Sequence, residues 1–129
     1  KNLGNKPSEY ALSIQQAILS CKPDGRICLI LPEGFFANSQ DEFLREYLAS
    51  KCQIKAVVSL PRGIFHKGTT TKTVTSGSQQ SSQKMSIIFC SKLSKKKEDL
   101  DYPVFIASLE NKDNLENSLA YILDQFNYW

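Results

Sequence analysis

Short apolar runs alternating with segments of helical period constrain this chain most. Residues 26–32 read Arg-Ile-Cys-Leu-Ile-Leu-Pro, 54–60 read Ile-Lys-Ala-Val-Val-Ser-Leu, and 84–92 read Lys-Met-Ser-Ile-Ile-Phe-Cys-Ser-Lys. Each is short and bounded by turn signals, so each is predicted to be a strand, the first buried on both faces. A fourth strand is predicted over 102–109. Ala11, Ile14, Ala17, Ile18 and Cys21 recur at helical spacing behind Ser8, a candidate N-cap, which predicts a helix over 9–21. Ser39 followed by Glu42 is a capping-box pattern opening a second helix to about residue 50, with Phe43, Leu44, Tyr47 and Leu48 on its apolar stripe. A last helix starts at Asp113 or Asn114 and runs to about Phe126. Strand–helix–strand units of this kind usually form a parallel sheet with helices on its faces. The expected fold class is therefore α/β, a partial doubly wound sheet of about four strands with flanking helices. The first element is a helix, as if its preceding strand were missing, so 1–129 is expected to be a single fragment of a larger domain.

The connections are also legible. Lys22-Pro23-Asp24-Gly25 is a turn in which Pro sets φ and Gly supplies a positive-φ position. Residues 32–38 are expected to be a loop at the C-terminal end of the first strand, and Lys95 to Asp99 a charged turn. Residues 61–83 form a long irregular stretch, and a Ser/Gln-rich loop at 74–84 cannot build a core and is expected to be flexible.

Composition excludes several classes. No apolar run approaches the roughly 20 residues a membrane-spanning helix needs. The start, Lys1 to Lys6, has no apolar signal region and no Met, as expected of a fragment. Cys21, Cys28, Cys52 and Cys90 match no zinc or redox spacing, so they are expected to be buried, reduced cysteines of a cytoplasmic protein. His66, the only histidine, lacks ligands at metal spacing, and no metal site is expected. The net charge of +3 is unevenly spread. Residues 62–97 carry eight basic side chains and no acid, whereas 98–129 carry seven acidic and one basic. The basic stretch is either a polyanion-binding surface or a solubilising face balanced by the acidic tail.

An ordered series of segments carries a family resemblance. Helix 9–21 is followed by Lys22-Pro23-Asp24-Gly25-Arg26, Ile30-Leu31-Pro32-Glu33-Gly34, Leu44-Arg45-Glu46-Tyr47-Leu48, Ile54 to Pro61, Ile64-Phe65, Thr73 and Ile87-Ile88-Phe89. This series resembles the methylation subunit of type I restriction-modification systems and, more broadly, the methyltransferases acting on adenine N6 in DNA. The resemblance implies a Rossmann-like methyltransferase sheet of seven strands that binds S-adenosylmethionine at the C-terminal ends of its first strands. This chain would be the C-terminal half of that domain, supplying strands five, six and seven, the last antiparallel. It also implies DNA, a type I specificity subunit and a restriction subunit as partners of the parent enzyme, and no membrane. Two family motifs are absent. No two glycines stand two apart, as the cofactor loop requires, and no two prolines are adjacent, as in the catalytic Asn-Pro-Pro-Tyr/Phe. No catalytic residue is therefore assigned here, and the chain alone is expected to be inactive. The rival readings are a non-catalytic basic α/β domain that binds nucleic acid, or one that mediates assembly.

Candidate site residues follow from the resemblance and the charge. Phe65 falls where related enzymes place an aromatic ring against the flipped adenine; otherwise it plugs its loop onto the core. Pro32, Gly34 and Phe35 either border the cofactor or base pocket or form a tight turn with Phe35 and Phe36 packed beneath. Arg62, His66, Lys67, Thr71 and Lys72 form a basic, hydroxyl-rich segment suited to phosphate contact.

Overall fold

The computed structural model describes residues 9–64, 84–95, 101–111 and 113–129. In chain order the elements are α1 (Glu9–Ser20), β1 (Arg26–Pro32), α2 (Glu33–Ala37), a 3-10 turn (Ser39–Asp41), α3 (Glu42–Lys51), β2 (Cys52–Ser59), β3 (Met85–Lys92), β4 (Phe105–Ser108) and α4 (Leu115–Tyr128). The strands form one sheet in the order β1-β3-β2-β4. β3 runs antiparallel to both β1 and β2, while β2 and β4 are parallel. Strand–helix–strand order usually gives parallel neighbours, and β3 departs from that pattern. β1 and β2 point the same way but never touch, because the later β3 is wedged between them. This is the antiparallel strand that the resemblance implied.

Helices cover both faces, as in a doubly wound sheet. On one face, Ile14 and Ile18 of α1, Phe35 of α2, and Leu44 and Leu48 of α3 pack on Ile27, Leu31, Cys52, Ile88 and Cys90. On the other, Leu115, Leu119 and Ile122 of α4 pack against Val58, Leu60, Ile87 and Ala107. Phe126 extends that layer, its ring edge-on to Phe89 at 5.9 Å and to Phe105 at 5.5 Å. α4 leaves β1 uncovered, so Cys28 and Ile30 are exposed. The first strand is therefore buried on one face rather than two, and Cys28 is not a core cysteine.

Local chemistry fixes the connections. Asp24, with φ of 61°, takes the positive-φ position expected of Gly25. Gly25 is needed for space instead: a Cβ there would stand 2.5 Å from Cys21 Sγ and 2.7 Å from the Lys22 carbonyl oxygen. Residues 33–37 are a short helix rather than a loop, and Arg45 donates to the carbonyl of Phe35 (2.7 Å), left open by the end of α2, and to that of Asn38 (2.8 Å), which also accepts the Asp41 N–H (3.2 Å). Ser39 makes no capping-box bond; it begins the 3-10 turn, and no side chain caps α3. Buried Asp41 accepts from the Tyr10 hydroxyl at 2.6 Å, tying α3 to α1.

Lys92, at the end of β3, donates to the carbonyls of Ile18 (2.7 Å) and Cys21 (2.8 Å) and so caps the C-terminus of α1. Helix α1 has no basic residue in its own last turn. Beneath this contact lie the two fully buried thiols, Cys52 and Cys90. Cys90 donates to Cys52, and that bond together with burial holds the Cys90 thiol far above the usual range. The same bond and the Lys92 charge pull Cys52 the other way.

Candidate functional site

The C-terminal ends of β1, β2 and β4 and the start of β3 meet at one edge of the sheet. Open α/β sheets take their ligands at the carboxyl ends of the parallel strands. Three backbone bonds pin this edge: Glu33 N–H to the Lys84 carbonyl (2.9 Å), Leu60 N–H to Met85 (2.9 Å) and Leu109 N–H to Ser59 (2.8 Å). They bring Glu33, Arg62 and Lys84 together from three separate segments. Glu33 lies 4.0 Å from Arg62 and 3.8 Å from Lys84. The Arg62 side chain is 68% exposed and that of Glu33 52%, so solvent screens both pairs and each contributes at most about 1 kcal/mol. The two cations therefore remain available to an external anion. Beside them runs an open cleft of about 540 Å³ lined by Pro61, Arg62, Lys84, Ser108, Glu110 and Asn111.

After Arg62 the chain turns at Gly63, whose φ of 84° suits glycine. Ile64 then packs into the α4-side core. Phe65, His66, Lys67, Thr71 and Lys72 lie outside the described residues, as do positions 74–83 of the Ser/Gln-rich segment. Pro32 is buried at the mouth of β1. Phe35 is 1% exposed, its ring edge-on to Tyr10 at 6.1 Å and to Phe36 at 5.1 Å, so it fills the core beneath the turn. At Gly34 a Cβ would meet Asn38 Nδ2 at 3.0 Å, so this glycine accommodates its own helix.

The described members of the basic run 62–97 do not make one surface. Arg62 and Lys84 stand at the ligand-facing edge. Lys92 is at the other end of β3, roughly 25 Å away at the rise of an extended strand, and is committed to α1. Sequence reasoning counted Lys84 only as one charge among eight. Its partnership with Arg62 follows from antiparallel β2–β3 pairing, which sets the residue before β3 beside the residues after β2. Among the described residues no three His, Cys, Asp or Glu side chains gather as a metal site, and no helix is long and apolar enough to cross a membrane.

The sequence matches the N-6 DNA methylase family over residues 3–117. Among solved structures, it is similar to the crystal structure of a class I S-adenosylmethionine-dependent methyltransferase from Listeria monocytogenes. The TM-score is 0.60 at 21% identity, over 98% of this chain and 36% of that one. That likeness concerns the fold, and this chain spans about a third of the other's length. A comparison with curated proteins finds no match.

Proposed function

The chain belongs to the N-6 DNA methylase family, and from that premise we propose that it is the DNA-facing far end of a domain that transfers a methyl group from S-adenosylmethionine to adenine N6. We place that domain in the modification subunit of a type I restriction-modification system, working with a specificity subunit and a restriction subunit. The observation that carries this reading is the convergence of Arg62 and Lys84 at the carboxyl edge of the sheet. An exposed cation, Arg62, beside a half-buried one, Lys84, suits phosphate contact, which positions DNA without reading its sequence. The Phe65 ring, three residues after Arg62 in the sequence, suits stacking on a flipped base.

The described residues do not fit a cofactor cradle. Gly34 is packed against Asn38, and Phe35 is turned into the core. The cleft beside Arg62 is open and lacks the closely spaced glycines that let backbone approach a ligand. No step through S-adenosylmethionine is therefore assigned to these residues, and its principal contacts belong to the rest of the domain.

Tritiated methyl transfer to DNA by the intact subunit with its specificity subunit tests the reading. Phe65→Ala removes a base stack worth about 1–3 kcal/mol and is expected to slow transfer by roughly ten- to a hundredfold. An unchanged rate would remove Phe65 from the site. Arg62→Ala with Lys84→Ala is expected to weaken DNA binding and to lower the slope of log affinity against log salt by roughly two. Methyl transfer by the isolated chain would overturn the assignment of catalysis to residues outside it.

A further inference from the structure

One carboxylate already occupies the place an external anion would take. Glu33 directs Oε2 to Arg62 Nη2 at 4.0 Å and Oε1 to Lys84 Nζ at 3.8 Å, one oxygen for each cation. The main chain puts it there, because the Glu33 N–H donates to the Lys84 carbonyl at 2.9 Å. β3 lies between β1 and β2, so Lys84 stands in the middle of the three segments, and Glu33 and Arg62 come to it from opposite sides. Two cations and one carboxylate leave this group with a net charge of +1. Both contacts are longer than the charged hydrogen bonds of about 2.7–2.9 Å that would lock the carboxylate in place. The Glu33 side chain is also 52% exposed, so water can take over its solvation when it is displaced.

A phosphate oxygen seeks the same donors, and an arginine can meet it with two parallel N–H groups. Carboxylate and phosphate cannot share both cations without setting like charges side by side. We propose that Glu33 is an internal competitor for the DNA phosphate: it holds Arg62 and Lys84 until a phosphate displaces it, and so weakens the backbone contact without abolishing it. The proposal rests on the reading that these two cations meet DNA, and it adds the residue that sets the strength of that contact. Phosphate contacts carry no base information, so competition at this edge lowers affinity for every DNA by the same factor. Glu110 supplies the control. It carries the same charge and lines the same cleft, but among the described residues no ion pair joins it to either cation.

The test is titration of two DNA duplexes of unrelated sequence with the intact subunit, followed by fluorescence anisotropy at several salt concentrations. Glu33→Gln keeps the side-chain length and the backbone bond but removes the charge. It is expected to tighten binding of both duplexes by roughly three- to tenfold at low salt, the range set by two exposed ion pairs. The slope of log affinity against log salt is expected to steepen by up to about one. Glu110→Gln is expected to tighten binding by less than about twofold, since solvent screens a charge that makes no contact. Arg62→Ala with Lys84→Ala is expected to cancel the gain from Glu33→Gln. Unchanged or weaker binding by Glu33→Gln, with the double replacement still harmful, overturns the role of Glu33 and leaves the phosphate contact standing. No effect of the double replacement in either background overturns the phosphate contact itself, and this proposal with it. An equal gain from Glu110→Gln would make the effect one of net charge, and a gain on one duplex alone would make Glu33 a base contact; either overturns the competition.

Discussion

Replacing Lys92 by Met separates a structural cation from a nucleic-acid contact. The side chain is half-buried, and its ammonium bonds two carbonyls at the end of α1, at 2.7 and 2.8 Å. Methionine keeps an apolar stem of similar length, so the loss is confined to the charge and its bonds. A hydrogen bond to a charged group contributes about 1.5–3 kcal/mol. Two bonds from one ammonium do not add in full, and the carbonyls regain some water when released. A cation at a partly buried helix C-terminus is worth up to about 2 kcal/mol, which overlaps the same contacts. The expected destabilisation is about 2–3 kcal/mol. For a chain of this size, at about 3–4 °C per kcal/mol, the Tm falls by roughly 6–12 °C. Thermal unfolding followed by circular dichroism reads this directly, with DNA affinity of the intact subunit measured alongside. Stability should fall and affinity should hold, the reverse of the pattern for Arg62 and Lys84. An unchanged Tm with weakened DNA binding would refute the helix-cap argument and restore residues 62–97 as one polyanion surface.

Other substitutions probe the packing and the thiols. Phe35→Ala should cost about 3–5 kcal/mol by denaturant unfolding, while Phe35→Leu should cost markedly less, because the ring is a core filler between Tyr10 and Phe36. A negligible loss would return Phe35 to the pocket wall. A thiol-specific reagent should label exposed Cys28 first in the folded chain, and Cys52 and Cys90 only on unfolding, as mass spectrometry of the labelled peptides would show. Rapid labelling of Cys90 in the folded chain would contradict its burial. Arg45→Ala should cost about 1–3 kcal/mol, since it removes the donor of the Phe35 carbonyl and one of the two donors of the Asn38 carbonyl, which keeps the Asp41 N–H.

Element type was legible where periodicity and turn chemistry agreed, as for α1, β2, β3 and α4. Strand direction was not, because an apolar run reads the same in either sense; only the family resemblance carried the reversal of β3. The double burial expected of β1 failed at Cys28 and Ile30, because burial depends on what lies over a strand. Here α4 stops short of it. Ser39 and Glu42 have capping-box spacing, but the short α2 before them fixes a 3-10 turn and removes the geometry. The predicted strand over 102–109 narrows to Phe105–Ser108, with residues 101–104 outside the ladder. For the site, proximity in sequence is a poor guide: of the described cations Arg62 and Lys84 stand at one end of β3 and Lys92 at the other, and Phe35 takes the packed one of the two places the sequence allowed it. Arg62 and Lys84 meet only after a long-range pairing that periodicity cannot reveal.

The wedged position of β3 also dictates the order in which this sheet can be completed. Ile27 and Ile54 both pair with Cys90, so the edges of β1 and β2 that β3 fills stay unpaired until the chain beyond them has been synthesised. A nascent chain ending before residue 85 carries two apolar strands with bare edges, and the sheet closes late, through contacts distant in sequence, which slows folding. Equilibrium stability is affected far less. The entropy of closing a connection grows only logarithmically, about 0.6 kcal/mol per doubling of length. A Ser/Gln-rich insertion between β2 and β3 can therefore lengthen or shrink with little effect on the stability of the folded chain, while the interval during which a ribosome-bound chain needs protection from aggregation grows with every residue added there.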